Sequence, residues 1–400
     1  MRTQLTFWDS ERIDLDECIA LTIQSFNAYA KMYKHWVIAW SGGKDSTTLL
    51  TLTIALIESG QIPKPETLTV LYADTRMELT PLQYSAFAII EQLKQRGIDV
   101  RIVTAQMDKR FLVYILGRGV PPPNNQTLRW CTRQIKLLPM QEAIDELYRE
   151  LGERLLILTG VRQGESAIRD GRIAMSCGKN GAECGQGWFQ NDISDTVGAK
   201  LAPLLHWRVC TVWDWLKIFA PRKEHGSWQT KLLADAYGGD EAEEVNARTG
   251  CIGCPLASND KALDVIIEMP QWSYLAPLKR LRPIYNQMRL PNYRLRQQAG
   301  KKLASGNLAK NQNRLGPLTI KARRVFLAKI LDIQLEVNQI AQIQGMPLVD
   351  ILNNEEVERI NELITKKQFP NGWRGNEPLG SEPYEQVFSD GSKQPSLFGN

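Results

Sequence analysis

The sequence predicts an α/β protein, a doubly wound parallel sheet followed by a basic, mainly helical C-terminal region. Three observations lead there. Short apolar runs alternate with stretches of helical period between residues 11 and 159. A glycine-rich turn follows the first apolar run, and the positive charge is gathered into one late segment.

Residues 11–34 space Leu15, Ile19, Ile23, Phe26, Ala30 and Tyr33 three or four apart, the period of an amphipathic helix. Trp36–Trp40 reads as a buried strand, then Ser41–Ser46 as a loop and an apolar helix through Glu58. Thr67–Ala73 is a second strand, and Pro81–Arg96 a helix stopped by Gly97. Ile98–Thr104 is a third strand, Arg133–Leu151 a helix, and Arg154–Thr159 a fourth strand. In such sheets ligands bind outside the carboxyl ends of the strands, so the loops that follow strands should carry the chemistry. Residues 170–200 form a glycine-rich excursion, Pro317–Gly345 and Glu355–Lys367 return to helical period, and Pro370–Asn400 reads as a disordered tail. Three regions follow: 1–268 for the nucleotide-binding domain with a cysteine-rich insertion, 269–369 for the basic region, and 370–400 for the tail.

With 400 residues, 43% of them hydrophobic and 23% charged, whole-chain disorder is excluded. No apolar run approaches the roughly 18–20 residues that cross a bilayer, and Met1–Glu17 holds no signal-peptide core. A cytoplasmic location with no membrane partner is therefore expected. Seven cysteines kept reduced there suggest metal or sulfur chemistry over disulfides. The net charge of +5 hides a division. The 63 residues between Glu268 and Asp332 contain 14 Lys and Arg and no acid, which leaves 35 basic against 44 acidic residues elsewhere. Trp272, Tyr274, Tyr285 and Tyr293 interleave with those cations, a composition suited to phosphates and stacked bases.

Ser41-Gly42-Gly43-Lys44-Asp45-Ser46 sits between a strand and a helix, where a phosphate loop belongs. Two glycines let backbone N–H groups approach an anion, the serines add hydroxyls, Lys44 adds charge and the helix start adds its dipole. Asp45 could hold Mg²⁺ against the phosphates. The ordinary P-loop has four residues between its glycines, so this is a different loop.

That string resembles the PP-loop ATP pyrophosphatases, in the branch of the phosphoadenylylsulfate (PAPS) reductases. Tyr72-Ala-Asp74-Thr75 is similar to the family's Asp-Thr, which implies contact of Asp74 with ribose or metal. Gly160-Val-Arg162-Gln-Gly-Glu165-Ser166-Ala-Ile-Arg169 is similar to its arginine loop, implying that Arg162 and Arg169 bind phosphates and that Glu165 orients one of them. Pro203-Leu-Leu-His206-Trp207 resembles a Pro-Leu-x-Asp-Trp segment with His206 in place of the Asp, and no role is assigned to that position. Arg129-Trp-Cys131-Thr and Gly316–Arg324 resemble the DndC-type DNA phosphorothioation branch. The resemblance implies ATP-dependent activation of a DNA backbone site followed by sulfur insertion. DNA, a cysteine desulfurase and other phosphorothioation subunits would be the partners, and ATP, Mg²⁺ and a [4Fe–4S] cluster the cofactors. Assimilatory reduction of PAPS or adenylylsulfate, tRNA thiolation and a non-catalytic nucleotide-sensing DNA-binding subunit are the alternatives.

Cys251-Ile-Gly-Cys254 puts two thiols on one turn, the densest metal-type pattern in the chain. Cys177 and Cys184 on the glycine-rich excursion and Cys131 complete five candidates for four cluster positions. Cys131 is either a ligand or a persulfide carrier activated by Arg129, Arg133 and Lys136. Cys18 and Cys210 are expected in the core. Gln394–Phe398 has the Gln-x-x-Leu-Phe form of peptides that dock in the bacterial sliding clamp.

Overall fold

The computed structural model describes residues 14–124, 129–164, 188–193, 197–238, 250–301, 308, 311–383, 385–388 and 390–395. They divide into two compact units. The first comprises Met1–Asp74, Thr80–Val103 and Met140–Thr249, and the second Thr75–Leu79, Thr104–Pro139 and Gly250–Asn400.

The first unit is the expected doubly wound sheet. Strands β1 (His35–Trp40), β2 (Thr67–Ala73), β3 (Asp99–Val103), β4 (Leu155–Leu158) and β6 (Gly198–Ala202) are parallel, and β5 (Trp188–Ile193) runs antiparallel to β6 at one edge. Their order is β3-β2-β1-β4-β6-β5. Chain order reverses between β1 and β4, so the loops leaving these two strands flank the crevice where doubly wound sheets bind ligands. Alternation along β1 fixes the two faces. Val37 packs with Leu71, Leu155 and Ile157 against Ile144 and Leu147 of α4 (Leu138–Leu151). On the fully buried Trp40, the indole donates to Thr47 Oγ1 of α2 (Lys44–Glu58) at 2.9 Å. Helix α1 (Leu15–Tyr29) is capped by Asp14, which accepts from the Glu17 amide, and α3 (Thr80–Gln95) ends before Gly97 at φ +69°.

The second unit is mainly helical. Helices α7 (Lys261–Glu268), α8 (Leu281–Gln287), α9 (Ile320–Gln344) and α10 (Asn354–Thr365) follow α5 (Val209–Asp214) and α6 (Lys231–Asp235) of the first unit. The antiparallel pair β7 (Arg294–Arg296) and β8 (Leu315–Leu318) leads into α9, which Thr319 caps and Gly345 ends at φ +65°. A capping box between Asn353 and Glu356 starts α10.

Two expectations are corrected. The boundary at residue 268 is displaced, because 75–79 and 104–139 belong with the C-terminal helices. Buried Phe111, Leu112, Val113, Ile115 and Leu116 supply apolar surface there, and Arg76 reaches Asp350 and Glu356 at 2.7 and 3.2 Å. A composition boundary cannot register pieces of chain returned from between strands. The segment after Pro370 is also structured where described. Leu379 bridges to Leu295, the Gly380 amide donates to Arg294 O at 2.7 Å, and β9 (Glu385–Val387) pairs with β10 (Lys393–Pro395). Its few apolar residues suffice because the backbone of β7 supplies the partners.

Candidate functional site

In the first unit the sheet crevice holds the loop Ser41–Ser46. Gly42 takes φ +72°, a left-handed conformation that a side chain would strain, and turns the chain out of β1. Gly43 precedes α2 without a side-chain cap, which leaves the helix start open to an anion. The hydroxyls of Ser41 and Ser46 lie 3.2 Å apart, and Ser46 Oγ donates to Gly43 O at 3.1 Å. These bonds hold the turn in shape.

Asp45 opens the first turn of α2 and faces two cations. Arg162 Nε donates to Asp45 Oδ1 at 2.5 Å, and Lys44 Nζ lies 3.6 Å from Asp45 Oδ2. Arg162 is only 5% exposed, and its NH1 donates to Trp207 O at 3.1 Å. The loop after β4 approaches closely enough for this because residue 160 is glycine. A Cβ there would lie 2.8 Å from the carbonyl of Asp45 and the amide of Ser46. Asp74 is buried at the end of β2, its amide donating to Val103 O at 3.0 Å. The crevice therefore combines an open helix start, Lys44, Arg162 and two carboxylates, a set that can hold a polyphosphate and a divalent cation.

Tyr237 is a site residue that sequence reasoning missed. Its hydroxyl accepts from the Lys44 amide at 3.2 Å, and Lys44 Nζ lies 4.9 Å from its ring centroid. Trp213 packs edge-on against it at 5.1 Å. A tyrosine in Ala-Tyr-Gly carries no motif, so only the fold identifies it. Glu165 and Arg169 lie outside the described residues, as do Cys177, Cys184 and residues 396–398 of the expected clamp motif. Among the described residues, Asp45 is the carboxylate on Arg162.

Cys131, Cys251 and Cys254 all lie in the second unit. Gly253, at φ +61°, makes the tight turn between the last two, and its backbone sits against Leu281, Arg282 and Tyr285 of α8. The Ile252 amide donates to Met77 O at 2.7 Å, while Arg282 and Arg289 donate to carbonyls of Ala257 and Pro255 at 2.8 and 3.0 Å. Phe111 joins the pieces, stacking on Trp130 beside Cys131 at 5.4 Å and meeting Tyr285 edge-on at 5.7 Å. Tyr285 is fully buried and its hydroxyl has no hydrogen-bond partner among the described residues. Burial raises its pKa, as do the Cys251 and Cys254 thiols. An orphaned donor facing sulfur fits a thiolate or sulfide acceptor.

Among the described residues, no three His, Cys, Asp or Glu are arranged to hold a single metal ion. A cluster spreads its thiolates over several irons and so asks for wider spacing. Activation of Cys131 by Arg129, Arg133 and Lys136 is the expectation at this position. Burial pushes this thiol up, with the neighbouring Cys254 adding to it, although bonds with Thr132 oppose the shift. Crowding around the Cys251 sulfur pushes that thiol up further, helped by Glu78 and Cys254. Cys18 is buried as expected, whereas Cys210 is exposed, because it lies on the outer side of α5.

The basic segment is partly structural. Arg323 is buried and donates to the carbonyls of Leu116, Gly117 and Gln368. Arg294 donates to Gly316 and Leu315, and Arg296 to Gly380. Lys279 pairs with Asp264 and Arg280 with Glu336. Lys321, Arg324 and Lys329 stay exposed on α9. No helix among the described residues is long and apolar enough to cross a membrane.

Residues 35–219 match the model of the phosphoadenosine phosphosulfate reductase domain. An uncharacterized protein of Methanocaldococcus jannaschii is 25% identical over 245 residues, 61% of this chain and 41% of its own length. The chain thus spans about two fifths of the curated relative that it matches. Among solved structures, the PAPS reductase of Candida auris, in a phosphate complex, aligns with a TM-score of 0.32 and 13% identity, over 54% of this chain and 87% of that one. The U34-tRNA thiolase NcsA of Methanococcus maripaludis, solved with its [4Fe–4S] cluster, aligns with a TM-score of 0.32 and 16% identity, over 68% and 76%. Both structural similarities are distant, and the sequence match runs across the sheet, the phosphate loop and the arginine loop. Through residues 35–219, the chain is similar to the phosphoadenosine phosphosulfate reductase domain.

Proposed function

We propose that this chain is a cytoplasmic, ATP-dependent sulfur-transfer enzyme acting on the DNA backbone. The observation that carries the nucleotide half is the clasp of Arg162 on Asp45 over the open start of α2, with Gly160 pressed against the same turn. Ser41–Ser46 and Arg162 would hold the ATP phosphates, and Asp45 and Asp74 would receive Mg²⁺. A non-bridging oxygen of the target phosphodiester would attack the α-phosphorus, and the α–β bond would break with release of pyrophosphate. The terminal sulfur of a persulfide from a cysteine desulfurase partner would then attack the activated phosphorus and displace AMP, and a second thiol would cleave the S–S bond, leaving sulfur on the phosphorus and a disulfide behind. Other phosphorothioation subunits would present the DNA.

Cys131, Cys251 and Cys254 would hold three corners of a [4Fe–4S] cluster, with Cys177 or Cys184 as further ligands. Such a cluster supplies electrons or a site for sulfur when bound. The chain's own contribution there is the Gly253 turn that aims two thiols together and the Tyr285 hydroxyl that can donate to sulfur. The exposed cations of α9 support a nucleic-acid substrate.

A second reading, reduction of PAPS or adenylylsulfate, is favoured by the domain match over 35–219. One experiment separates the two. Pyrophosphate released from ATP is measured with and without DNA or tRNA, beside sulfite released from PAPS and adenylylsulfate. DNA-stimulated pyrophosphate release, abolished in Ser46→Ala, is the expected result, together with phosphorothioate dinucleotides in digested host DNA that vanish with the same substitution. Sulfite production without any response to DNA would establish the second reading, and a response to tRNA alone would move the substrate to RNA.

A further inference from the structure

Within the second unit, Arg289, Arg294 and Arg314 line a cavity of about 560 Å³ together with Asn124, Asn311, Asn371 and Trp373. Among the described residues no acidic residue lines it. The stretches 125–128 and 302–310, adjacent in sequence to Asn124 and Asn311, contain no Asp or Glu. Three guanidinium groups therefore face one space with no carboxylate among the described residues to neutralise them. Their mutual effect is visible, since burial and then Arg314 and Arg289 lower Arg294 to about 10. Bringing like charges together opposes folding unless an anion joins them.

Each arginine keeps donors for such an anion. Arg314 is exposed and makes no side-chain bond among the described residues. Arg294 spends Nε and NH2 on the carbonyls of Gly316 and Leu315 and keeps NH1. Arg289 is anchored through NH1 and NH2 by Asn286, Pro123 and Pro255, and its buried Nε has no partner among the described residues. The Trp373 ring lies directly over Gly316, where any side chain would strike it, with Lys301 Nζ 5.9 Å from the ring centroid. The wall thus offers fixed donors, amide side chains and one partly exposed indole. A nucleotide unit needs that combination, whereas a free inorganic anion has no use for the indole.

We propose that this cavity binds a phosphodiester of a single-stranded nucleic acid, with the adjoining base against Trp373. The proposal rests on the nucleic-acid reading above and adds the residues that hold the strand.

The test is fluorescence anisotropy of the full chain with a labelled single-stranded DNA oligonucleotide of about twelve nucleotides, at several salt concentrations. Arg314→Glu should weaken binding by about tenfold or more and reduce the slope of log affinity against log salt by about one. Trp373→Leu should weaken binding by about tenfold and leave that slope unchanged. Lys321→Glu, an exposed charge reversal of the same basic segment outside the cavity, should weaken binding less than Arg314→Glu. Thermal melts show that each variant is folded. If the wild-type chain binds no oligonucleotide, the nucleic-acid reading fails and takes the site with it. If it binds and Arg314→Glu binds equally well, or no worse than Lys321→Glu, the site alone is overturned. Unlabelled 5′-AMP and inorganic phosphate are the competitors. Displacement of the oligonucleotide by either at equal concentration would make the occupant a small anion and overturn the proposal.

Discussion

Arg162 donates from Nε to Asp45 at 2.5 Å and from NH1 to the carbonyl of Trp207, so one side chain ties the loop after β4 to the start of α2 and to the segment after β6. Both charges are largely withdrawn from water. Removing one partner alone, in Asp45→Ala or Arg162→Ala, leaves an uncompensated charge and should cost about 3–5 kcal/mol. The double variant Asp45→Ala/Arg162→Ala should cost less than the sum of the singles. Urea unfolding of the four proteins reads the coupling. Simple additivity would show that the pair contributes nothing as a pair.

Gly160 makes that tie possible. An added Cβ would meet backbone atoms of Asp45 and Ser46 at 2.8 Å, and backbone cannot swing aside as a side chain can. Gly160→Ala should therefore destabilise by about 1–3 kcal/mol and depress pyrophosphate release from ATP. Gly43→Ala is the comparison, since its Cβ would meet side-chain atoms, the Tyr237 hydroxyl at 3.3 Å and Ser41 Oγ at 3.6 Å. It should unfold near the wild-type midpoint. Equal destabilisation by the two substitutions would remove the close approach as the cause.

The sheet and its phosphate loop were legible because their signals are local. Period, a glycine turn and a strand before a helix are all read within some twenty consecutive residues, and β2 spans the expected Thr67–Ala73. What sequence hid was carried by distant pairings. Tyr237 reaches Lys44 across 193 positions, and Asp45 reaches Arg162 across 117. The basic segment shows the same limit. Its lack of acid is real in sequence, yet folding brings Asp264 to Lys279 and Glu336 to Arg280 from outside it. The tail was misjudged because its anchors are backbone bonds to β7, which composition does not register.

Cys18 and Cys210 should differ sharply in reactivity. Cys210 is exposed on α5, whereas Cys18 is 1% exposed and burial pushes its thiol from 9.0 to about 11. Cys210 should alkylate well before Cys18 in mass-spectrometric footprinting. The folded chain holds the Cys18 proton more tightly than the unfolded chain does. That contribution is therefore complete below pH 9 and is lost as pH rises towards 11. Cys18→Ala should flatten the fall of melting temperature across this window. An unchanged pH profile would show that other groups govern the alkaline limit.

Arg323 tests whether the basic segment is one surface or two kinds of cation. It lies two residues from exposed Lys321, yet its guanidinium is buried among the carbonyls of Leu116, Gly117 and Gln368, with Phe369 5.5 Å from it. Burial lowers its pKa to about 10, the expected response of a cation removed from water whose partners are neutral. Arg323→Met would leave three carbonyls without donors and should cost about 3 kcal/mol or more, measured by chemical unfolding. Lys321→Glu should lie within about 0.5 kcal/mol of wild type. Their effects on DNA affinity should be reversed. Folded Arg323→Met should keep the wild-type salt slope, because a side chain enclosed by carbonyls releases no counterion from DNA, whereas Lys321→Glu can change it. A reduced slope in Arg323→Met, at temperatures where it is folded, would mean that the buried guanidinium turns outward to meet phosphate.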